Sequence, residues 1–373
     1  MPPRTVLSTG RAGCTARESF NNFGGRMKAE ESIIEEAQRS GLSALEAERG
    51  SLRTREGRFV NPNGARVEMR PGQGMQALRS MLRSEQRRPA RALPNVFAGA
   101  ADVAADLAVT WFGHSAVLLE IDGLRLLLDP MLGPSTSPLP LPFGRRFALQ
   151  RPLDIDALPA VDAVLLSHDH YDHLDKGSIL RLAPRVGHFY TPLGVGAHLR
   201  RWGIAASRIS ELDWWDERSL ADVRIVATPA QHFSGRGLRD RNSTLWASWT
   251  ILASSARVYF SGDSGYGPHF EAIGRRFGPF DLTMMECGQY NELWRAIHSM
   301  PEDSVRAHRD LRGEVLLPIH WGAFTLAPHA WTEPIERLRG AAEAVGVRLA
   351  LPRIGERVFP RGDLPRWDIL ESV

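Results

Sequence analysis

The densest chemistry in the 373-residue sequence lies in one short segment, Ser167-His168-Asp169-His170-Tyr171-Asp172-His173-Leu174-Asp175, where six of nine residues are His or Asp. It follows directly on the apolar run Ala163-Val164-Leu165-Leu166. A buried strand that opens into so many polar groups strands them away from water unless a cation organises them. The spacing His168-x-His170-x-Asp172-His173 offers three imidazoles and a carboxylate from a single loop. Imidazole nitrogen with carboxylate oxygen suits zinc, and manganese or iron accept the same set. Three further residues stand in matching contexts: His232, Asp263 and His320 each lie just past the carboxyl end of an apolar run. Taken singly, each is more often structural than not. Their shared position after a strand is what argues for ligation, and with the first loop they suffice for two ions. A pair of cations lowers the pKa of a shared water, which is the chemistry of ester and phosphodiester hydrolysis.

Those residues need a scaffold that brings strand ends to one place. Apolar runs of strand character lie at 107–112, 116–121, 124–128, 163–166, 223–227, 245–252, 258–260, 282–285 and 315–319. Asp122-Gly123 predicts a hairpin turn between the second and third of these. Apolar periodicity predicts helices over 174–182, 195–201, 268–276, 301–311 and 330–345. Hairpins mixed with βα units predict an α/β fold in which helices cover sheets. Such folds gather their functional groups at the carboxyl ends of strands. Before residue 105 the character differs. Residues 1–25 are rich in Gly, Ser, Thr and Arg, helices are expected over 27–49 and 74–85, and 87–94 reads as a linker.

The hydrophobic fraction of 43% and charged fraction of 24% are those of a globular protein with an extensive core. No apolar run reaches the roughly 18 residues of a membrane span. The N-terminus lacks the apolar segment of a secretory signal. Cys14 and Cys287 are the only cysteines, which gives no disulfide framework and suits a reducing compartment, the cytoplasm. The first 100 residues hold 17 Lys and Arg against 10 Asp and Glu, and the remainder 29 against 33. The basic charges are spread out and read as a solvated helical extension more readily than as an arm for lipid or nucleic acid. Basic and aromatic residues are not interleaved as in RNA-binding segments, so no nucleic-acid partner is expected.

The order His168-x-His170-x-Asp172-His173, then His232, Asp263 and His320, resembles the metallo-β-lactamase superfamily. The flanks are similar to the branch containing N-acyl-phosphatidylethanolamine-hydrolysing phospholipase D and its bacterial relatives. They are Phe59-Val60-Asn61-Pro62, Thr110-Trp111-Phe112-Gly113-His114-Ser115, Tyr171, Ser261-Gly262-Asp263-Ser264-Gly265-Tyr266, Phe277-Gly278-Pro279-Phe280-Asp281-Leu282 and Ile319-His320-Trp321-Gly322. The resemblance covers roughly residues 58–355. It implies an αβ/βα four-layer sandwich, with a hydrolase domain over 58–373 after an N-terminal extension over 1–57. It implies two zinc ions, with manganese or iron as substitutes. His168, His170 and His232 would hold one, Asp172, His173 and His320 the other, and Asp263 would bridge them. Asp172, Asp263 and His298 form the expected catalytic set. The branch places a substrate-facing histidine where His298 stands, which implies a contact to a phosphate oxygen or help to the leaving alkoxide. A glutamine precedes that histidine in a lipid-cleaving relative, where this chain has Ile297. A homodimer accords with the same resemblance, while peripheral contact with a membrane is expected through the stiff apolar loop over 131–143.

Other residues have plainer readings. His114, in a Gly-His-Ser turn, reads first as a turn residue. Asp175 either orients an imidazole from behind or caps the next helix. Asp169 and Tyr171 flank the metal loop, and His269 reads as a helix start. His188, His198, His308 and His329 read as ordinary core or surface residues, and Trp214, Trp215, Trp246 and Trp249 as core. The stiff loop over 131–143, with Pro134, Pro138, Pro140 and Pro142, either packs on the surface or receives an acyl chain. The function expected first is a phosphodiesterase acting on N-acyl-phosphatidylethanolamine-like phospholipids. A lactonase or small-molecule phosphodiesterase on the same site comes second. A non-catalytic metal-containing binding protein comes last, because it would need few of the seven ligands.

Overall fold

The apolar runs do form strands, and the strands assemble into two sheets. The computed structural model describes residues 50–67, 72, 73, 75, 79, 86–96, 102–104, 106–137 and 144–368. The helix expected over 27–49, most of that over 74–85 and the loop tip 138–143 lie outside the described residues. In chain order the strands are Leu52–Arg53 (β1), Phe59–Val60 (β2), Leu107–Trp111 (β3), Val117–Ile121 (β4), Leu124–Leu128 (β5), Val161–Leu165 (β6), Val186–Pro192 (β7), Ile209–Leu212 (β8), Glu217–Leu220 (β9), Val223–Thr228 (β10), Ser248–Leu252 (β11), Arg257–Phe260 (β12), Phe280–Glu286 (β13), Gly313–Ile319 (β14), Arg348–Leu349 (β15) and Arg357–Val358 (β16). The α-helices among the described residues are Lys176–Leu182 (α1), Gly196–Arg201 (α2), His269–Phe277 (α3), Pro301–Asp310 (α4) and Glu333–Ala344 (α5).

One sheet has the order β16-β3-β4-β5-β6-β7-β8 and the other β15-β14-β13-β12-β11-β10-β9. Each is antiparallel through one half and parallel through the other. Pairing turns parallel at β5/β6 in the first sheet and at β12/β13 in the second. Parallel strands all end on the same edge, so a group just past each strand joins its neighbours there.

The alternation of side chains shows why these strands look apolar throughout. In β5, Leu126 and Leu128 point into the large core between the sheets, while Leu127 joins a second cluster on the outer face. In β6, Ala163 and Leu165 face inward and Val164 outward. The inner core meets Ile225, Ala227, Trp249, Val258 and Phe260 of the opposite sheet. The outer cluster meets Ile179 and Leu182 of α1 and Leu199 of α2. On the far side Phe270, Ile273, Val305, Ile335 and Leu338 bring α3, α4 and α5 onto the second sheet. A sheet buried on both faces loses its polar-apolar alternation. The result is the expected four layers, helix, sheet, sheet, helix.

The helices start as their sequences dictate. Pro301 opens α4, acids fill its first turn, and His308 and Arg309 lie in its last. Asp175 caps α1, accepting from the backbone N–H groups of Gly177 and Ser178, so of its two readings the cap is realised. His269 begins α3, as expected. The division expected after residue 57 falls inside a hairpin: Leu52 pairs with Val60, and the Ser51 N–H donates to Asp213. Among the described residues, no helix is long and apolar enough to cross a membrane.

Candidate metal centre

The loop after β6 carries His168, His170, Asp172 and His173. His232 follows β10, Asp263 follows β12 and His320 follows β14. The structure brings all seven side chains together at the common edge of the two sheets. Nδ1 of His170 lies 2.8 Å from Nε2 of His168 and 3.2 Å from Nε2 of His232. Asp172 joins His114, His173 and His320 in a second group of ligand atoms lying within 4.8 Å of one another. Asp263 stands between the groups. Its Oδ2 is 3.9 Å from Nε2 of His168, 3.7 Å from that of His232 and 3.1 Å from that of His320, while Oδ1 is 3.1 Å from Nε2 of His173.

The outer nitrogens are already committed. Nδ1 of His168 meets Ser167 Oγ at 2.9 Å, Nδ1 of His173 meets Asp129 Oδ2 at 2.7 Å, and Nδ1 of His232 donates to the Ile297 carbonyl at 2.9 Å. That leaves Nε2 of each ring facing the centre. Three of the buried inward atoms, Nε2 of His173, Nε2 of His320 and Oδ1 of Asp263, have no hydrogen-bond partner. Buried polar atoms are rarely left so, and imidazole with carboxylate donors fits a divalent cation there.

Electrostatics point the same way. Burial and neighbouring imidazoles hold His168 well below the usual histidine range, leaving a neutral ring with a free lone pair. Burial likewise dominates at His232, against the pull of Asp263. At His320 burial lowers the pKa, but Asp263 and Asp172 outweigh it and raise it to about 10. His173 is raised in the same way by Asp263, Asp172 and Asp129. Asp263 and Asp172 are buried yet held well below the carboxylate range by those imidazoles. The pocket therefore favours positive charge at its middle.

His298, expected in the catalytic set, lies at the rim. Its side chain is 14% exposed, against 2% for Asp263, and its Nδ1 meets Glu286 Oε2 at 2.9 Å. Its ring stacks on that of His320 with centroids 5.3 Å apart. Glu286 is buried, and its Oε1 accepts from the N–H groups of Ser264 and Ser299 at 3.0 and 2.7 Å. Burial raises its pKa.

Two groups escaped the sequence reading. Asp129 follows β5 and Glu286 ends β13 at the same edge. The strand-end rule that found His320 would have found both. His114 forms its turn with φ of 54°, and its ring also reaches the centre, with Nε2 3.1 Å from Asp172 Oδ2. Asp169 accepts from His198 and from the Gly235 N–H. Tyr171 lies under the Arg236 guanidinium. His308 is a core residue bonded to Thr283.

Comparison with known proteins agrees with this arrangement. Residues 124–321 match the β-lactamase superfamily domain. The chain is 44% identical over 346 residues to an uncharacterized protein of Mycobacterium tuberculosis, covering 87% of this chain and 92% of that one. It is 31% identical over 252 residues to the N-acyl-phosphatidylethanolamine-hydrolyzing phospholipase D 1 of Caenorhabditis elegans, covering 64% and 70%. An isothiocyanate hydrolase from Delia radicum gut bacteria shares the fold, with a TM-score of 0.54, 22% identity and coverage of 68% and 98%. Two helix-flanked sheets, a histidine and carboxylate cluster at their common edge and these relatives lead to one conclusion: the chain belongs to the metallo-β-lactamase superfamily, as a metal-dependent hydrolase.

Proposed function

We propose that the protein is a dinuclear zinc phosphodiesterase of the phospholipase D type, hydrolysing N-acyl-phosphatidylethanolamine-like phospholipids to phosphatidic acid and an N-acylethanolamine. The observation that carries the reading is the arrangement of two three-membered donor sets around one carboxylate, Asp263. His168, His170 and His232 would hold one ion, Asp172, His173 and His320 the other, and Asp263 both. When bound, such a pair lowers the pKa of a water and stabilises charge that builds up on phosphate oxygens. The relative from Caenorhabditis elegans, whose name states its substrate, supports the lipid class.

The remaining work falls to the chain. In the loop after β6, Ser167 and Asp129 fix the tautomers of His168 and His173, so little reorganisation of those rings accompanies the reaction. With Nδ1 of His298 engaged by Glu286, Nε2 is the nitrogen left for substrate. A proton on that atom would bond a phosphate oxygen or pass to the departing alkoxide. The acyl chains of such a substrate bring the protein to a membrane surface during turnover.

Metal content before and after chelation, coupled to turnover of a soluble bis-aryl phosphodiester and of a lactone, tests the reaction class. Two ions and cleavage of the phosphodiester alone are expected. Lipids extracted from cells carrying the wild type or His320→Ala test the substrate. Unchanged N-acyl phospholipids, or turnover of the lactone only, would overturn the reading.

A further inference from the structure

The Asp172 side chain is 16% exposed, against 0–2% for those of His168, His173, His232, Asp263 and His320. A carboxylate on a loop, partly open to solvent, rotates easily unless something holds it. The nearest interior group is His114, whose ring is fully buried and whose Nε2 lies 3.1 Å from Asp172 Oδ2, closer than Nε2 of His320 at 3.5 Å or of His173 at 3.8 Å. Asp172 in its ionised form only accepts, so the Nε2 proton belongs to His114. The other nitrogen, Nδ1, is buried and has no hydrogen-bond partner. Phe324 packs edge-on against the ring at 5.2 Å. A ring placed only to stabilise the turn has no reason to leave one nitrogen unpaired and aim the other at Asp172.

The backbone of the same residue does a second thing. His114 donates its N–H to the Trp321 carbonyl at 2.8 Å and accepts from the His320 N–H at 2.9 Å. His114 belongs to the turn between β3 and β4, and His320 follows β14 in the opposite sheet. Both residues adopt left-handed backbone, with φ of 54° and 66°. Such conformations are strained for a side chain with a Cβ and persist where surrounding bonds over-determine them. The two rings then lie 4.2 Å apart. Resting on the dinuclear reading above, we propose that His114 is a positioning residue for the second ion, fixing Asp172 through Nε2–H and His320 through its backbone, so that donors from opposite sheets are set by one residue.

The test compares the full-length wild type with His114→Ala and His114→Gln. Each is stripped with chelator and titrated with zinc against a competing indicator, and each is then loaded with cobalt for its d–d spectrum. His114→Ala should keep the first ion and bind the second about 10–100-fold more weakly, the range seen when a group behind a metal ligand is removed. Its cobalt spectrum should change only in the part contributed by the second site. His114→Gln, whose amide can donate to Asp172, should recover part of the affinity. Melting of the stripped proteins separates this from a folding defect. A lower melting temperature with unchanged second-ion affinity would overturn the proposal in favour of a turn role. If His114→Ala does not fold, His114→Gln decides: a weaker second ion with the first ion unchanged supports the proposal, and wild-type affinity for both ions, or equal weakening of both, would overturn it. Equal affinities in wild type and both variants would overturn this inference alone. A wild type that takes up a single ion would overturn the dinuclear reading as well.

Discussion

The Asp129 carboxylate lies 2.7 Å from Nδ1 of His173 and also takes the backbone N–H and the hydroxyl of Ser167. One buried acid thus fixes the tautomer of His173 and the first residue of the loop that carries it. Asp129→Asn keeps the shape but removes the charge and one acceptor. Zinc affinity or kcat/KM is expected to fall about 10–100-fold. Competitive zinc titration checks this, and wild-type affinity would show that packing alone orients His173.

Glu286 bears on His298 in a comparable way. Glu286→Gln leaves an oxygen for one partner but weakens the contact to Nδ1 of His298, now 2.9 Å with a charged acceptor. A fall in kcat of about 10–100-fold is expected with metal content unchanged, because general acid–base groups contribute about 10²–10⁴-fold. Steady-state kinetics beside metal analysis reads this out. Loss of metal with kcat unchanged per bound ion would count against it.

Gly262 sits where two loops touch. A Cβ there would lie 2.6 Å from the Ser167 Cβ and 3.1 Å from the Ala247 carbonyl, at φ of +56°. Gly262→Ala should therefore destabilise the fold by about 1–3 kcal/mol. Because Ser167 and Asp263 are the immediate neighbours of that contact, metal uptake should fall with it. Urea midpoints and metal stoichiometry are the measurements, and an unchanged midpoint would contradict the contact.

Stability should also depend on pH through buried histidines outside the seven grouped residues. Burial lowers His269 to about 3 and His308 to about 4. In the unfolded chain both titrate near 6.5. Below that value the unfolded state binds protons that the folded state refuses, so stability is present above about pH 6.5 and is lost as pH falls toward 4. Each buried histidine adds a slope of about 1.4 kcal/mol per pH unit over this window. His308→Gln should leave a shallower slope between roughly pH 4.5 and 6.5. An identical slope in wild type and variant would show that His308 is protonated in the fold.

Much of this was written plainly in the residues. The runs at 124–128, 258–260 and 315–319 became β5, β12 and β14 with almost the expected bounds. Both faces of those strands are covered, so apolar content alone marks them. Val186–Pro192, Ile209–Leu212 and Glu217–Leu220 were harder to see. They hold Gly, Pro, Ser, Glu and Arg, and they lie at or beside sheet edges; Ile209–Leu212 is partly and Glu217–Leu220 largely open to water, while Val186–Pro192 is mostly buried but interrupted by Gly187 and His188. The seven grouped residues were legible because histidine spacing is rare. Asp129 and Glu286 carried only the signal of a strand-end position, which is weaker for an acid than for a histidine because an acid there looks like any surface acid until its partner is placed beside it. The contact between His114 and Asp172 spans 58 positions and depends on a left-handed turn, which composition does not announce.

At the edge of the sandwich away from the histidines, Asp122 in the β4–β5 turn takes the backbone N–H and hydroxyl of Ser254, in the turn between β11 and β12. Among the described residues, none of the grouped histidines and carboxylates stands there, and both turns are partly solvent-exposed hairpin ends. Lengthened loops, fused domains or relocated chain termini should be accommodated at that pole with turnover intact, whereas the same insertions at the opposite pole would dismantle it. The half-antiparallel, half-parallel layout therefore divides the molecule into a pole free to diversify and a pole that is not.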